Sequence, residues 1–303
     1  MSRIHEALKK AEQERAMSQP SREAAPSVMD APIEPAGVYS SAATLVPPSS
    51  ALSSAPESLL MRCRQTTWTP DPKTMLFFSG EEHVAGMEEF RTLRSRLYQT
   101  REKQPLSKLL ITSPLPKEGK TFTAANLAQV IVRQHGRRVL LVDADLRNPR
   151  LHSCLGAEPS PGLSEYLRSE SDEFSVIQRG PMENLFLIPA GVNNGNPAEL
   201  LANGRLKFLL SRLETMFDWI IIDSAPAVPV ADAALLANFC DGVLLVVRSN
   251  STPIDAARKA REEFADRNVV GVVLNGITPD LSPYSQYYYT AAYGPESEAE
   301  GKN

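Results

Sequence analysis

Ile111-Thr112-Ser113-Pro114-Leu115-Pro116-Lys117-Glu118-Gly119-Lys120-Thr121 is the stretch that decides how this chain folds. It leaves an apolar run at 108–112 and opens a segment in which Phe122, Ala125, Leu127 and Val130 recur at helical spacing. A strand that passes through such a loop into a helix presents backbone N–H groups to an anion, and the positive end of the helix dipole favours negative charge there. Gly119 lets the backbone come close, Lys120 can reach terminal phosphates, and the Thr121 hydroxyl suits Mg²⁺. The glycine that usually opens a phosphate loop is missing, because position 114 is proline. Ser113, Pro116, Lys117, Glu118 and Phe122 complete the segment expected to surround a nucleotide.

Working outward, the runs 108–112, 138–142, 184–189, 219–222, 242–247 and 269–274 are rich in Leu, Ile and Val and predict strands buried on both faces. Helical patterns at 86–101, 120–134, 197–215, 230–238 and 252–265 alternate with them. Such alternation predicts an α/β domain over 76–280, a P-loop NTPase with a mostly parallel central sheet, helices on both faces and ligands at the carboxyl ends of the strands. Asp143, Asp145 and Arg147 follow one predicted strand and Asp223 ends another. A strand-end aspartate can simply cap the next helix, an explanation that serves one cluster better than two. Mg²⁺ held through Thr121 needs hard oxygen neighbours, direct or through water, which Asp143 and Asp223 would supply. The three motifs together predict an ATPase.

The flanks read differently. Ile4, Ala7, Leu8 and Ala11 lie on one face of a short amphipathic helix over 1–18, and a stretch with seven prolines between Pro20 and Pro56 predicts a disordered linker, bounded here at 19–75. Five of the eight tyrosines, Tyr284, Tyr287, Tyr288, Tyr289 and Tyr293, crowd into a tail at 281–303. Tyrosine rings favour burial, so the cluster is either a substrate or a patch that docks on a neighbouring subunit. A net charge of -4 offers no basic field for nucleic acid, and three widely spaced cysteines fit a reducing cytoplasm. No apolar run approaches the roughly 20 residues of a membrane span, so membrane contact is expected only through a partner.

The series Ser113-x-x-Pro116-x-Glu118-Gly119-Lys120-Thr121, then Asp143-Ala144-Asp145-Leu146-Arg147, then Ile221-Ile222-Asp223, then the terminal tyrosines resembles the bacterial tyrosine kinases of capsule and exopolysaccharide synthesis, where the motifs are called Walker A, A′ and B. The resemblance extends over roughly 77–293. It implies ATP and Mg²⁺ as cofactors, Lys120 on the β and γ phosphates, Thr121 on the metal, and Asp143 with Asp145 around the metal and the incoming tyrosine hydroxyl, one of the two acting as base. It also places Asn275 near the adenine. Arg147 either binds phosphate or pairs with aspartates.

Glu88, Arg91 and Arg94 share a helix face, which by resemblance builds a subunit contact in a ring and otherwise carries intrahelical ion pairs. A ring would let the tail reach a neighbour's site, so phosphorylation in trans is expected. The resemblance further implies a membrane-spanning polysaccharide co-polymerase as activator, a phosphotyrosine phosphatase, and a peripheral location at the inner face of the plasma membrane. Two departures stand out. Ala225 replaces the proline usual after Asp223, and Leu115 stands where partitioning and cell-division ATPases carry a second lysine. A non-kinase ATPase switch of that type is the competing reading, and a scaffold with a structural ATP site is the third.

Overall fold

The computed structural model describes residues 61–72, 74–78, 86–134 and 136–277. The predicted N-terminal helix, most of the linker and the tyrosine-rich tail lie outside them. Eight strands form one sheet: β1 (Arg64–Gln65), β2 (Lys108–Thr112), β3 (Val139–Asp143), β4 (Gln178–Arg179), β5 (Leu185–Ile188), β6 (Trp219–Asp223), β7 (Gly242–Arg248) and β8 (Val269–Asn275). Their spatial order is β1-β4-β5-β3-β6-β2-β7-β8, parallel throughout except for the β4–β5 pair. Because β6 inserts between β2 and β3, the chain reverses its direction of winding at the centre of the sheet, where ligands of open α/β sheets bind.

Alternation along each strand sorts the core into two layers. Leu109, Ile111, Val139, Leu141, Trp219 and Ile221 face α1 (Met87–Lys103), α2 (Lys120–Val132) and α3 (Leu151–Leu155). Leu110, Leu140, Val142, Ile220 and Ile222 face the opposite layer, formed by α4 (Leu163–Leu167), α5 (Pro197–Leu201), α6 (Gly204–Leu213), α7 (Asp232–Ala237) and α8 (Ile254–Glu262). Each such side chain contributes about 1.5–3 kcal/mol by leaving water. The central strands are therefore apolar on both faces, as a parallel sheet sandwiched by helices requires.

Two expectations need correction. Residues 61–75, which composition alone assigns to the linker, belong to the domain: β1 pairs with β4, and Cys63, Trp68 and Met75 are buried. The single helix expected at 197–215 is two, because the Asn203 side chain accepts from the Arg205 N–H at 3.0 Å and starts α6 afresh.

Candidate active site

Strand register brings the acids together. Asp143 ends β3 directly opposite Asp223 at the end of β6, and Asp223 in turn lies opposite Ile111 of β2, from which the phosphate loop departs. The carbonyl of Asp223 accepts the Ala144 N–H at 2.8 Å, locking the two acidic turns. Gly119 takes φ 96° before α2 begins, the left-handed region that glycine enters freely.

Lys120 starts α2 with its ammonium inside this acidic group, 2.8 Å from Oδ2 of Asp145 and 3.9 Å from Oδ1 of Asp223. Burial works against its charge, but Asp223 and Asp145 outweigh that and hold its pKa above the ordinary value. Thr121 donates its hydroxyl to Oδ2 of Asp223 at 2.6 Å. Asp143 accepts from the N–H groups of Leu151 at 3.0 Å, Arg150 at 3.1 Å and Asp145 at 3.3 Å. Even so, burial and then the nearby Asp223 charge raise its pKa well above the carboxylate range. Burial likewise pushes Asp223 up to about 6, in spite of the opposing charge on Lys120.

Such a site is short of positive charge. Oδ1 of Asp223 is buried without a hydrogen-bond partner, and three carboxylates face a single ammonium. Among the described residues no three His, Cys, Asp or Glu side chains are arranged to hold a metal by themselves. The donor set instead fits an ion held by one hydroxyl, Thr121, with carboxylates around it and phosphate and water filling the remaining positions, which is how Mg²⁺ is bound beside a phosphate loop.

Other predicted residues fall as follows. Ser113 is buried and its hydroxyl donates to the Leu115 carbonyl at 2.8 Å. Pro116 and Lys117 form the exposed crest of the loop. The Phe122 ring packs on Phe90 at 5.8 Å between centroids, so its side chain serves the core. Arg147 grips the buried Asp232 with two bonds of 2.7 and 2.9 Å, the pairing alternative, though with Asp232 rather than Asp143 or Asp145. Asn275 donates its amide to the Glu118 carbonyl at 2.9 Å, which puts it against the phosphate loop itself. Glu88 pairs with Arg91 within α1, and Arg94 donates to the Val130 carbonyl at 2.8 Å. Sequence reading gave no site role to Asp232, Arg248 or Thr252, whose contacts with site residues span 85 to 134 positions.

Comparison with known proteins places this arrangement. The tyrosine-protein kinase YwqD of Bacillus subtilis is 37% identical over 204 residues, covering 67% of this chain and 85% of YwqD. The chain belongs to the bacterial tyrosine-protein kinases. The AAA domain family matches residues 118–257. The kinase domain of the Escherichia coli tyrosine kinase ETK superposes with a TM-score of 0.62 at 33% identity, covering 65% of this chain and 77% of that one. Salmonella typhimurium tyrosine-protein kinase wzc is 32% identical over 230 residues, but this kinase spans only 32% of that longer relative. These relatives do not favour the partitioning-type switch. No helix among the described residues is long and apolar enough to cross a membrane.

Proposed function

We propose that this kinase uses ATP and Mg²⁺ to phosphorylate the tyrosine cluster of its own chain type, Tyr284, Tyr287, Tyr288, Tyr289 and Tyr293, in trans within a ring-like homo-oligomer joined through Glu88, Arg91 and Arg94. The observation that carries the proposal is the convergence of Lys120, Thr121, Asp143, Asp145 and Asp223 at the carboxyl ends of three adjacent central strands. The process served is capsular or exopolysaccharide polymerisation or export, under a membrane-spanning co-polymerase that activates the kinase at the inner membrane face and a phosphatase that resets it.

In this reading Lys120 exchanges its Asp145 contact for oxygens of the β and γ phosphates, and the loop N–H groups from Lys117 to Thr121 hold the rest of the chain of phosphates. Bound Mg²⁺ supplies neutralisation of the developing phosphate charge, with Thr121, Asp223 and Asp143 as its holders. The tyrosine oxygen forms the new P–O bond to the γ-phosphorus, the bond to the β-phosphate oxygen breaks and ADP leaves, and the phenolic proton passes to an aspartate. A phenol with a pKa near about 10 is a weak nucleophile at neutral pH, so a nearby acceptor matters. Asp145 suits that role, since its Oδ2 is held by the very ammonium the phosphates would draw away, whereas Asp143 is held by three backbone N–H groups.

The test is incubation of the purified protein with γ-labelled ATP. Label should enter the 284–293 region and be lost in Lys120→Ala; equal labelling of that variant refutes the assignment.

A further inference from the structure

The phosphate loop contains two prolines and a single glycine, and Lys117 takes φ 65°, a left-handed conformation that a residue with a side chain adopts at a cost. Its shape must be held from outside, and the hydrogen bonds show where. From the end of β7, Arg248 donates to the Lys117 carbonyl at 3.1 Å. From the end of β8, Asn275 donates to the Glu118 carbonyl. A Cβ on residue 119 would lie 2.0 Å from the Asn275 amide nitrogen, so glycine at 119 also makes room for this contact.

The third link is the least expected. Glu118 is buried at 4% exposure beside a seat for anions, where a carboxylate is electrostatically unfavourable unless it is satisfied and directed elsewhere. One of its oxygens accepts the Leu115 N–H at 2.9 Å, closing the loop on itself. The other accepts the Thr252 hydroxyl, and Oγ1 of Thr252 accepts the Arg248 N–H at 3.0 Å. Thr252 lies in the turn between β7 and α8, distant in sequence from every motif of the site.

We propose that Thr252 is a positioning residue for nucleotide binding. By fixing Glu118, and through it Leu115, its hydroxyl keeps the N–H groups of the loop pointed at the phosphates without touching them. Removing the hydroxyl leaves a buried carboxylate oxygen without a partner, which drives Glu118 toward water and opens the loop.

This inference rests on the loop being a nucleotide site, and the experiment separates the two. MgADP affinity is measured by calorimetry on the full chain and on Thr252→Val, which keeps the shape and loses the donor, and Thr252→Ser, which keeps the donor. Val should weaken binding by about 5- to 30-fold, and Ser should restore it to within about twofold of the parent. Parent-like affinity in the Val variant overturns the proposal, and so does a Ser variant as weak as Val, which would mean that the methyl and not the hydroxyl matters. A parent chain that fails to bind MgADP overturns the nucleotide site along with it.

Discussion

Thr121 and Asp223 are joined by a 2.6 Å hydrogen bond, so the first turn of the helix that follows the phosphate loop is fastened to the end of the neighbouring strand. The bond occupies one oxygen of Asp223 and leaves the other buried without a hydrogen bond, 3.9 Å from the Lys120 ammonium. In the folded chain this carboxyl releases its proton near 6 rather than 3.8. Between those values the folded chain binds more protons than the unfolded one, so the side chain's contribution to stability is full below 3.8 and is lost as pH rises through about 6. Asp223→Asn removes that titration. Thermal melts without added nucleotide or metal, from about pH 4.5 to about 7.5, should show the parent's margin over the variant shrinking as pH rises. A constant margin contradicts the linkage.

Asp143 and Asp145 should separate under substitution. Asp143→Asn can offer one oxygen where three N–H groups now bind two, so it should lose about 1–3 kcal/mol of stability. Asp145→Asn keeps an acceptor for the Asn148 N–H but gives up the charge paired with the largely buried Lys120 at 2.8 Å, so it should also lose about 1–3 kcal/mol, and it should lower kcat by about 10²–10⁴ if Asp145 takes the phenolic proton. Rapid-quench phosphorylation alongside melting curves reads both effects. Normal turnover in Asp145→Asn shifts the base to Asp143.

Arg147 holds a fully buried Asp232, so Arg147→Ala should cost about 2–4 kcal/mol, moderated because the guanidinium is partly exposed. Adding Asp232→Asn should return part of that loss. If Arg147 instead serves phosphate, the single variant will weaken MgATP binding without moving Tm, and calorimetry with denaturant melts distinguishes the cases.

Asn275, two positions before the last described residue, donates to the phosphate loop. Nine residues from there to Tyr284 span at most about 30 Å, and chain length alone does not forbid reaction in cis. Mixing an active chain that lacks 281–303 with a full-length Lys120→Ala chain decides it. Label on the inactive chain's tail is expected, and Arg91→Ala or Glu88→Ala in both chains should lower it together with assembly mass measured by light scattering. An unlabelled tail in the mixture excludes transfer between copies.

Much of this was legible from local pattern. The strand at 108–112 and the acids ending β3 and β6 follow from apolar runs interrupted by a single carboxylate, a signal carried within a few residues. What escaped was either too short or too far apart. Two-residue strands such as β1 and β4 have no period to detect, and Asn203 restarts a helix whose apolar spacing runs on almost unbroken. Arg147 with Asp232 and Glu118 with Thr252 are pairs that only the completed sheet creates. The same holds for Asn275, whose amide meets the loop because β7 lies beside β2 and β8 beside β7.

Strands β2, β3 and β6 are buried by apolar side chains on both faces. Amides on these strands should be the slowest of the chain to exchange with deuterium, since opening any of them exposes both apolar layers at once. By that expectation Asp143 and Asp223 end strands that open least often. If the proposed transfer takes place here, a field from fixed carboxylates and one ammonium would need little rearrangement as charge moves toward the leaving group, and that rigidity would favour the transition state.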